Sequence, residues 1–174
     1  MKHLAWLALT VLLLALESPL LRNVGRWWLA PDVLVLAAVY LGSRGNFVAG
    51  LLAASAAGLA KDGFSLAAPV GIFAEIGAIG FLATRLIGRR VDLGSLMPTM
   101  ATCGVATFIA VGLFVTFEVI FHRAFSAVEE VLRAGPPMAL GTMLLAPLFF
   151  WLYDRVGDLF ERRDRMAMTM DRLR

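Results

Sequence analysis

Residues 47–60 read FVAGLLAASAAGLA, an apolar stretch without a charged side chain. Most of its residues are small, and Gly50, Ala54 and Gly58 recur at every fourth position, which places them on one face of a helix. Small residues let another backbone approach closely, which is how helices pack in lipid. Because small residues also extend beyond this face, we expect the helix to be surrounded by protein rather than by lipid.

Similar apolar runs lie on both sides of this stretch. The chain has 174 residues, of which 60% are hydrophobic and 17% charged, whereas a soluble domain is about 45–50% apolar and about 25% charged. This composition excludes a soluble globular domain and a disordered chain. It predicts an all-α membrane protein, a polytopic bundle of about six transmembrane helices. The predicted spans are about 4–21, 28–42, 46–60, 68–87, 99–121 and 137–153, followed by a helical tail at 154–174.

Basic residues set the predicted orientation. Most Lys and Arg side chains lie in the segments between apolar runs, where they orient a membrane protein rather than bind nucleic acid. With six spans both termini share one side, and the arginines of the tail make Lys and Arg more numerous on that side. We therefore predict that both termini are cytoplasmic.

A short segment before the last span has its own helix signals. Ser126 and Glu129 have the spacing of a capping box, and Gly135 followed by Pro136 is typical of a helix end. The pattern predicts a separate short helix at 127–134 on the outer face, which either rests on the membrane interface or contacts a partner. Its apolar side chains include Val131 and Leu132.

Five carboxylates fall toward the outer ends of the predicted spans. Ionisable groups inside a membrane are costly, so they are candidates for function. Glu75 is the deepest of them, whereas Asp32 follows Pro31 at a helix start, where a carboxylate stabilises the helix dipole. The set either forms ion pairs and helix-end charges or serves a function. Its members are Glu17, Asp32, Asp62, Glu75 and Glu118.

The sequence carries no signature of an enzyme. His3 and His122 are predicted on opposite sides of the membrane. A nucleophile elbow, a phosphate-binding loop and a helical zinc motif are all absent from the sequence. We therefore expect no catalytic residue, no cofactor and no metal site.

The opening of the second predicted span resembles a known family. Pro31-Asp32, an apolar run and then Tyr40 are similar to the start of the second span in the MreD family of rod shape-determining proteins. The segment from Gly50 to Gly71 resembles that family's glycine-rich third helix and the aspartate-containing turn after it.

Within that second segment, particular residues receive predicted roles. Asp62 is expected to organise the turn between the third and fourth spans, and Pro69 to open the fourth. Gly71 is expected to pack against a helix or a partner, as are Gly50, Ala54 and Gly58. Together with Pro31 and Asp32, the residues Asp62 and Pro69 form the predicted turn motif.

The resemblance implies a function that composition alone does not. It implies a non-enzymatic scaffold in the bacterial inner membrane that regulates cell shape and lateral peptidoglycan synthesis. The implied partners are MreC, RodA with its class B penicillin-binding transpeptidase and, indirectly, the MreB filament, all beside the lipid bilayer.

An alternative follows from the family's fold, which looks like the substrate-binding S component of energy-coupling-factor transporters. A protein of that kind would use Glu17, Asp62, Glu75 and Glu118 to hold a small polar ligand in a cavity. A ligand site needs a pocket with a few convergent polar groups. A scaffold would instead fill that space with Phe and Leu side chains.

Overall fold

A computed structural model describes residues 2–24, 30–64, 70–122 and 125–171. Within these ranges every regular element is an α-helix, so the all-helical prediction is confirmed for them. The helices are α1 (Lys2–Val24), α2 (Val33–Arg44), α3 (Phe47–Phe64), α4 (Ile72–Ile87), α5 (Leu96–His122) and α6 (Phe125–Asp171).

Three of these helices are long and apolar enough to cross a membrane. They are α3, the Leu96–Phe121 part of α5 and the Val131–Leu159 part of α6. The apolar segments Leu4–Glu17 and Val33–Arg44 are shorter. The described part of the chain is therefore a helical bundle with membrane-spanning character.

Successive helices run in opposite directions, so the bundle has two ends. We call one the tail end, where Tyr40 of α2 donates a hydrogen bond to Asp154 of α6. We call the other the cavity end, where Lys61 of α3 contacts Asp32 at the start of α2.

Helix α2 lies at the centre and contacts each of the other five helices. Its residues from Val33 to Gly42 are all buried. A helix that is apolar on every side is a core helix, and the run VLVLAAVYLG has no polar face. The helix that the others surround is therefore α2, whereas we expected it to be α3.

Helix α3 is not surrounded by protein, which corrects that expectation. Val48, Leu52 and Leu59 are 67%, 65% and 52% exposed, and their spacing places them on one outward face. The small residues occupy the opposite face, where Ala53, Ala54 and Ala57 are buried. Large and small residues are thus segregated around this helix, and only the small face is packed inside the chain.

The small face of α3 packs against α4 at backbone distance. A Cβ atom at Gly58 would collide with the Phe73 carbonyl oxygen, and one at Gly50 would lie 2.6 Å from the Phe81 ring. In the opposite direction, a Cβ at Gly77 of α4 would lie 2.6 Å from the Ala54 carbonyl oxygen. At Gly58 and Gly77 the neighbouring atoms belong to the backbone, so a larger side chain there would push the helices apart, whereas at Gly50 the Phe81 ring would have to shift.

Several helix ends differ from the predicted bounds, most clearly in α3 and α6. Helix α3 continues to Phe64, four residues beyond the predicted end at 60. Helix α6 is continuous from Phe125 to Asp171, so the separate short helix at 127–134 does not exist as a distinct element. Gly135 does not end a helix; it is buried against Val111 of α5.

Helix α6 continues although Pro136 and Pro137 lie inside it. Each proline removes one intrahelical N–H donor, which affects the carbonyls of Leu132 and Arg133. Both of these residues carry exposed side chains, so this side of the helix faces away from the bundle. The tail is helical as predicted as far as Asp171, and residues 172–174 lie outside the described part.

An aromatic and polar cluster joins three helices at the tail end. The Trp6 indole N–H donates to the Tyr153 carbonyl at 3.1 Å, and the Thr10 and Tyr153 hydroxyls lie 2.8 Å apart. The Tyr40 ring stacks on that of Tyr153, with centroids 4.8 Å apart, and its hydroxyl donates to Asp154 at 2.9 Å. The cluster fixes α1 and α6 against the central helix.

The α3–α4 contact gives a prediction with a control in the same helix. Gly58→Ala should lower the free energy of unfolding by about 1–3 kcal/mol, because the added methyl collides with the α4 backbone. Gly63→Ala has open space around its Cβ and should leave stability unchanged or raise it, because alanine favours the helix. Thermal unfolding of the detergent-purified chain measures both. Equal effects of the two substitutions would contradict the packing.

Candidate functional site

The site is built around the start of α2. Asp32 is the residue immediately before the helix, and its Oδ1 accepts hydrogen bonds from the backbone N–H groups of Leu34 at 3.1 Å and Val35 at 3.3 Å. Aspartate is favoured at this position because it satisfies N–H groups that have no partner within the helix. Pro31 therefore lies before the cap residue, outside the helix, rather than at the first helical position.

Two further helices meet at Asp32. Lys61 of α3 places its Nζ 2.9 Å from the same Oδ1, and the backbone N–H of Asp32 donates to the Thr142 hydroxyl of α6 at 2.9 Å. The Asp32 and Lys61 side chains are only 7% and 16% exposed. The Lys61 ammonium also lies 4.8 Å from the centre of the Phe73 ring, within the range of a cation–π contact.

A cavity of about 450 Å³ opens beside this ion pair. Glu17 of α1 shares its wall with Asp32 and Lys61, and these three formal charges sum to −1. Among the residues that the structure describes, the rest of the wall is apolar. Its other residues are Ala30, Phe73, Ile76, Ala110, Val111, Phe114, Val131, Ala134 and Met138.

The cavity has the dimensions and composition of a small-molecule site. Its volume falls within the range of about 300–1,000 Å³ found for ligand pockets, which combine apolar walls with a few polar groups. The Phe73 and Phe114 rings stack across part of the wall, with centroids 5.4 Å apart. The space is thus partly filled by aromatic side chains, and its charged groups lie on the α1–α3 side.

Asp62 has a different task from its neighbour Lys61. Its buried carboxylate accepts hydrogen bonds from the backbone N–H groups of Gly71 at 3.0 Å, Phe73 at 3.1 Å and Ala74 at 3.3 Å. A residue at the end of α3 therefore caps the start of α4. This is the turn-organising position that the sequence indicated for Asp62.

Gly71 serves this cap through its backbone conformation. Its φ is +113°, a value that strongly favours glycine, and apart from its chain neighbours no described residue lies within 4 Å of the position that a Cβ would occupy. Gly71 therefore does not pack against another described helix, and its contact with a partner stays a prediction. Pro69 lies outside the described residues.

The structure does not bring together the predicted acidic cluster. The Asp62 carboxylate already accepts three hydrogen bonds from the start of α4. Glu75 is exposed in the first turn of α4. Glu118 is half-buried on α5 and does not line the cavity. Of the four carboxylates proposed to hold a ligand, only Glu17 faces the cavity, and its companions there are Asp32 and Lys61.

The predicted contact residues on α6 separate into two environments. Val131 lines the cavity, whereas Leu132 is 50% exposed on the outside of the bundle. Glu129 pairs with Arg133 one turn later, with 2.6 Å between the charged atoms. The Ser126 side chain, the other half of the predicted capping box, lies outside the described part.

The sequence interpretation missed the pairing of Lys61 with Asp32 and the contribution of Thr142. One signal was present, since the predicted topology places Lys61 at the same level as Asp32. Which helix ends lie side by side depends on how the helices pack, and neither segment shows this by itself. Within the described residues, no group of three or more His, Cys, Asp or Glu side chains could hold a metal ion.

Comparisons with known proteins provide no relative for this site. No family model, no curated protein and no solved structure matches the chain.

The interhelical cap gives a second prediction. Asp62→Ala should lower the free energy of unfolding by about 2 kcal/mol, because it leaves three backbone N–H groups without their acceptor. Asp92→Ala is the matched control, since the exposed side chain of this aspartate accepts one local hydrogen bond, from Gly94. Its loss should stay within about 0.5 kcal/mol. Denaturant or thermal unfolding in detergent distinguishes them, and equal losses would refute the cap.

Proposed function

We propose that this chain is a multi-pass protein of the bacterial inner membrane with six spans and both termini in the cytoplasm. The alternating helix directions support this topology, because an even number of crossings returns the chain to the side where it began. The short helix α2 is enclosed by the other five helices, so it needs little contact with lipid. The arginines of the tail favour the cytoplasm for the tail end.

Within that membrane, we propose a non-enzymatic scaffold of the cell-elongation machinery, of the kind that the resemblance to MreD implies. It would regulate cell shape and lateral peptidoglycan synthesis through MreC, through RodA and its class B transpeptidase, and indirectly through MreB. The observation that carries this proposal is the meeting of the two resembling segments. They interlock through Asp32 and Lys61, and Asp62 and Gly71 join the second segment to α4.

The two resembling segments meet at the central helix, although Lys61 itself departs from the family's pattern, which has an uncharged residue at this position. Asp32 starts the central helix, Lys61 neutralises it, and Tyr40 anchors the other end of the same helix to Asp154. These contacts set the relative positions of the helices and leave large apolar side chains on the outside, such as Leu132 and Leu140. A rigid frame with an apolar exterior suits a protein that acts by holding other membrane proteins.

The cavity favours a second candidate, a small-molecule-binding protein similar to an S component. A space of about 450 Å³ walled by Glu17, Asp32 and Lys61 provides convergent polar groups. Two features favour the scaffold over this candidate. Asp32 and Lys61 already neutralise each other, and the Phe73–Phe114 stack covers part of the wall.

Affinity purification of the tagged full chain from its own cells, in mild detergent, tests the proposal. Mass spectrometry should identify MreC and cell-wall synthases in the eluate. Leu132→Gln should reduce their recovery several-fold, because this exposed leucine lies on the segment predicted to contact a partner. Leu159→Gln, a change at a 64% exposed leucine near the tail end of the same helix, should leave recovery unchanged.

Two results would contradict the scaffold. Co-elution of ATPase subunits with a coupling protein, or of a tightly held small molecule, would establish the binding protein instead. Recovery of the cell-wall proteins that is equal for both leucine variants would remove the contact assigned to Leu132.

A further inference from the structure

The tail end carries a basic groove that the proposed function does not use. The groove has a volume of about 770 Å³ and lies between the α2–α3 turn and the α4–α5 loop. Arg44, Arg85, Arg89 and Asp92 line it, so its formal charge is 3 − 1 = +2. The remaining lining residues are mostly small, including Gly42, Gly45, Gly88 and Gly94, which leaves the charged groups accessible.

The arginines of this groove retain donors for a ligand. Arg85 uses one guanidinium nitrogen to donate to the Gly45 carbonyl at 2.6 Å, which orients the group. Arg44 faces Asp154 at 3.3 Å. The Arg89 side chain is exposed and forms no hydrogen bond or ion pair with a described residue. A planar guanidinium has five N–H donors and binds phosphate oxygens in pairs.

An apolar groove continues from the basic one along α4 and α5. It has a volume of about 290 Å³, and Val91 belongs to the walls of both grooves. Ile79, Ala83 and Ile87 of α4 face Ala101 and Val105 of α5 across it. The Thr84 hydroxyl on this wall donates to the Gly80 carbonyl, so it does not need a ligand. Ile79, Ile87 and Val105 are 39%, 37% and 58% exposed, which leaves the groove open to the surroundings of the bundle.

The lining of the apolar groove suits a hydrocarbon chain. Its walls are formed mainly by aliphatic side chains of α4 and α5, and it adjoins the basic groove at Val91. A positively charged opening and an apolar channel therefore lie next to each other.

We propose that these two grooves bind one anionic phospholipid. Its phosphate lies among Arg44, Arg85 and Arg89, and an acyl chain lies between α4 and α5. Basic pockets between membrane helices on the cytoplasmic side are suited to anionic lipid headgroups. The site requires a bundle in a membrane, and it does not depend on the scaffold function.

Native mass spectrometry of the full chain in detergent tests the site with two lipids that have identical chains, phosphatidylglycerol and phosphatidylcholine. Phosphatidylglycerol should bind more tightly, because phosphatidylcholine carries a compensating positive charge. Arg89→Gln should weaken phosphatidylglycerol binding about fivefold, as expected for one basic residue at a membrane surface. Arg155→Gln removes an exposed charge near the same end, outside the groove, and should change binding little. Ala101→Phe should weaken the binding of both lipids by filling the apolar channel.

Several outcomes would overturn the proposal. Equal binding of the two lipids would remove the charge recognition, and equal losses for the two arginine variants would reduce it to the general positive charge of this end. Unchanged binding by the Ala101→Phe variant would exclude the channel. Displacement of phosphatidylglycerol by millimolar inorganic phosphate, with binding of that phosphate to the protein, would identify free phosphate as the ligand. Unchanged melting temperatures of the variants establish that they are folded.

Discussion

The contact between Asp32 and Lys61 holds the start of the central helix α2 against the end of α3. One carboxylate oxygen receives two backbone N–H groups of α2 and the ammonium of α3, while the adjacent backbone N–H binds Thr142 of α6. Burying a charge is costly unless it is paired and hydrogen-bonded, and both conditions are met here. The central helix therefore begins at a point where three helices meet, and its apolar sides can be enclosed by the others.

The pairing of Asp32 with Lys61 determines the net charge of the cavity beside them. Because Asp32 and Lys61 neutralise each other, Glu17 supplies the excess charge of a largely apolar space. The arrangement is the consequence of placing a helix start inside the bundle. The same geometry serves a scaffold, where it fixes the helices, and a binding protein, where it would recognise a cationic or hydrogen-bond-donating group. The scaffold is favoured because the strongest polar contacts at the site lie within the chain itself.

Local patterns in the sequence were sufficient for the all-helical class and for one interface. The spacing of Gly50, Ala54 and Gly58 indicated a packing face, and α4 lies against it. Asp62 was assigned to the turn before α4, and it caps that helix. Such features depend on residues a few positions apart or on one connection, where helix periodicity and turn chemistry provide direct signals. The partner contact assigned to Leu132 stays a prediction.

Features that depend on distant segments were not predictable in the same way. The carboxylates were grouped by their level in the membrane, yet Glu75 and Glu118 do not line the cavity that Glu17 lines. Gly135 and Pro136 have the local chemistry of a helix end, but packing on α5 and an outward-facing side at Leu132 and Arg133 let α6 continue. Gly71 was predicted to be a packing residue. The residues beside a glycine in the sequence do not reveal its backbone conformation, so its positive φ could not be predicted.

A double-mutant cycle on Asp32 and Lys61 measures how strongly their contact stabilises the protein. Asp32→Asn removes the charge and retains the ability to cap a helix. Lys61→Met also removes the charge and retains most of the volume of the lysine side chain. Each single change should destabilise the protein by about 3–5 kcal/mol because it leaves an unpaired buried charge, and the double change should cost clearly less than the sum. The exposed Glu129–Arg133 pair is the control, with a coupling of about 0.5 kcal/mol or less. Additive losses for Asp32 and Lys61 would show that the two side chains do not stabilise each other.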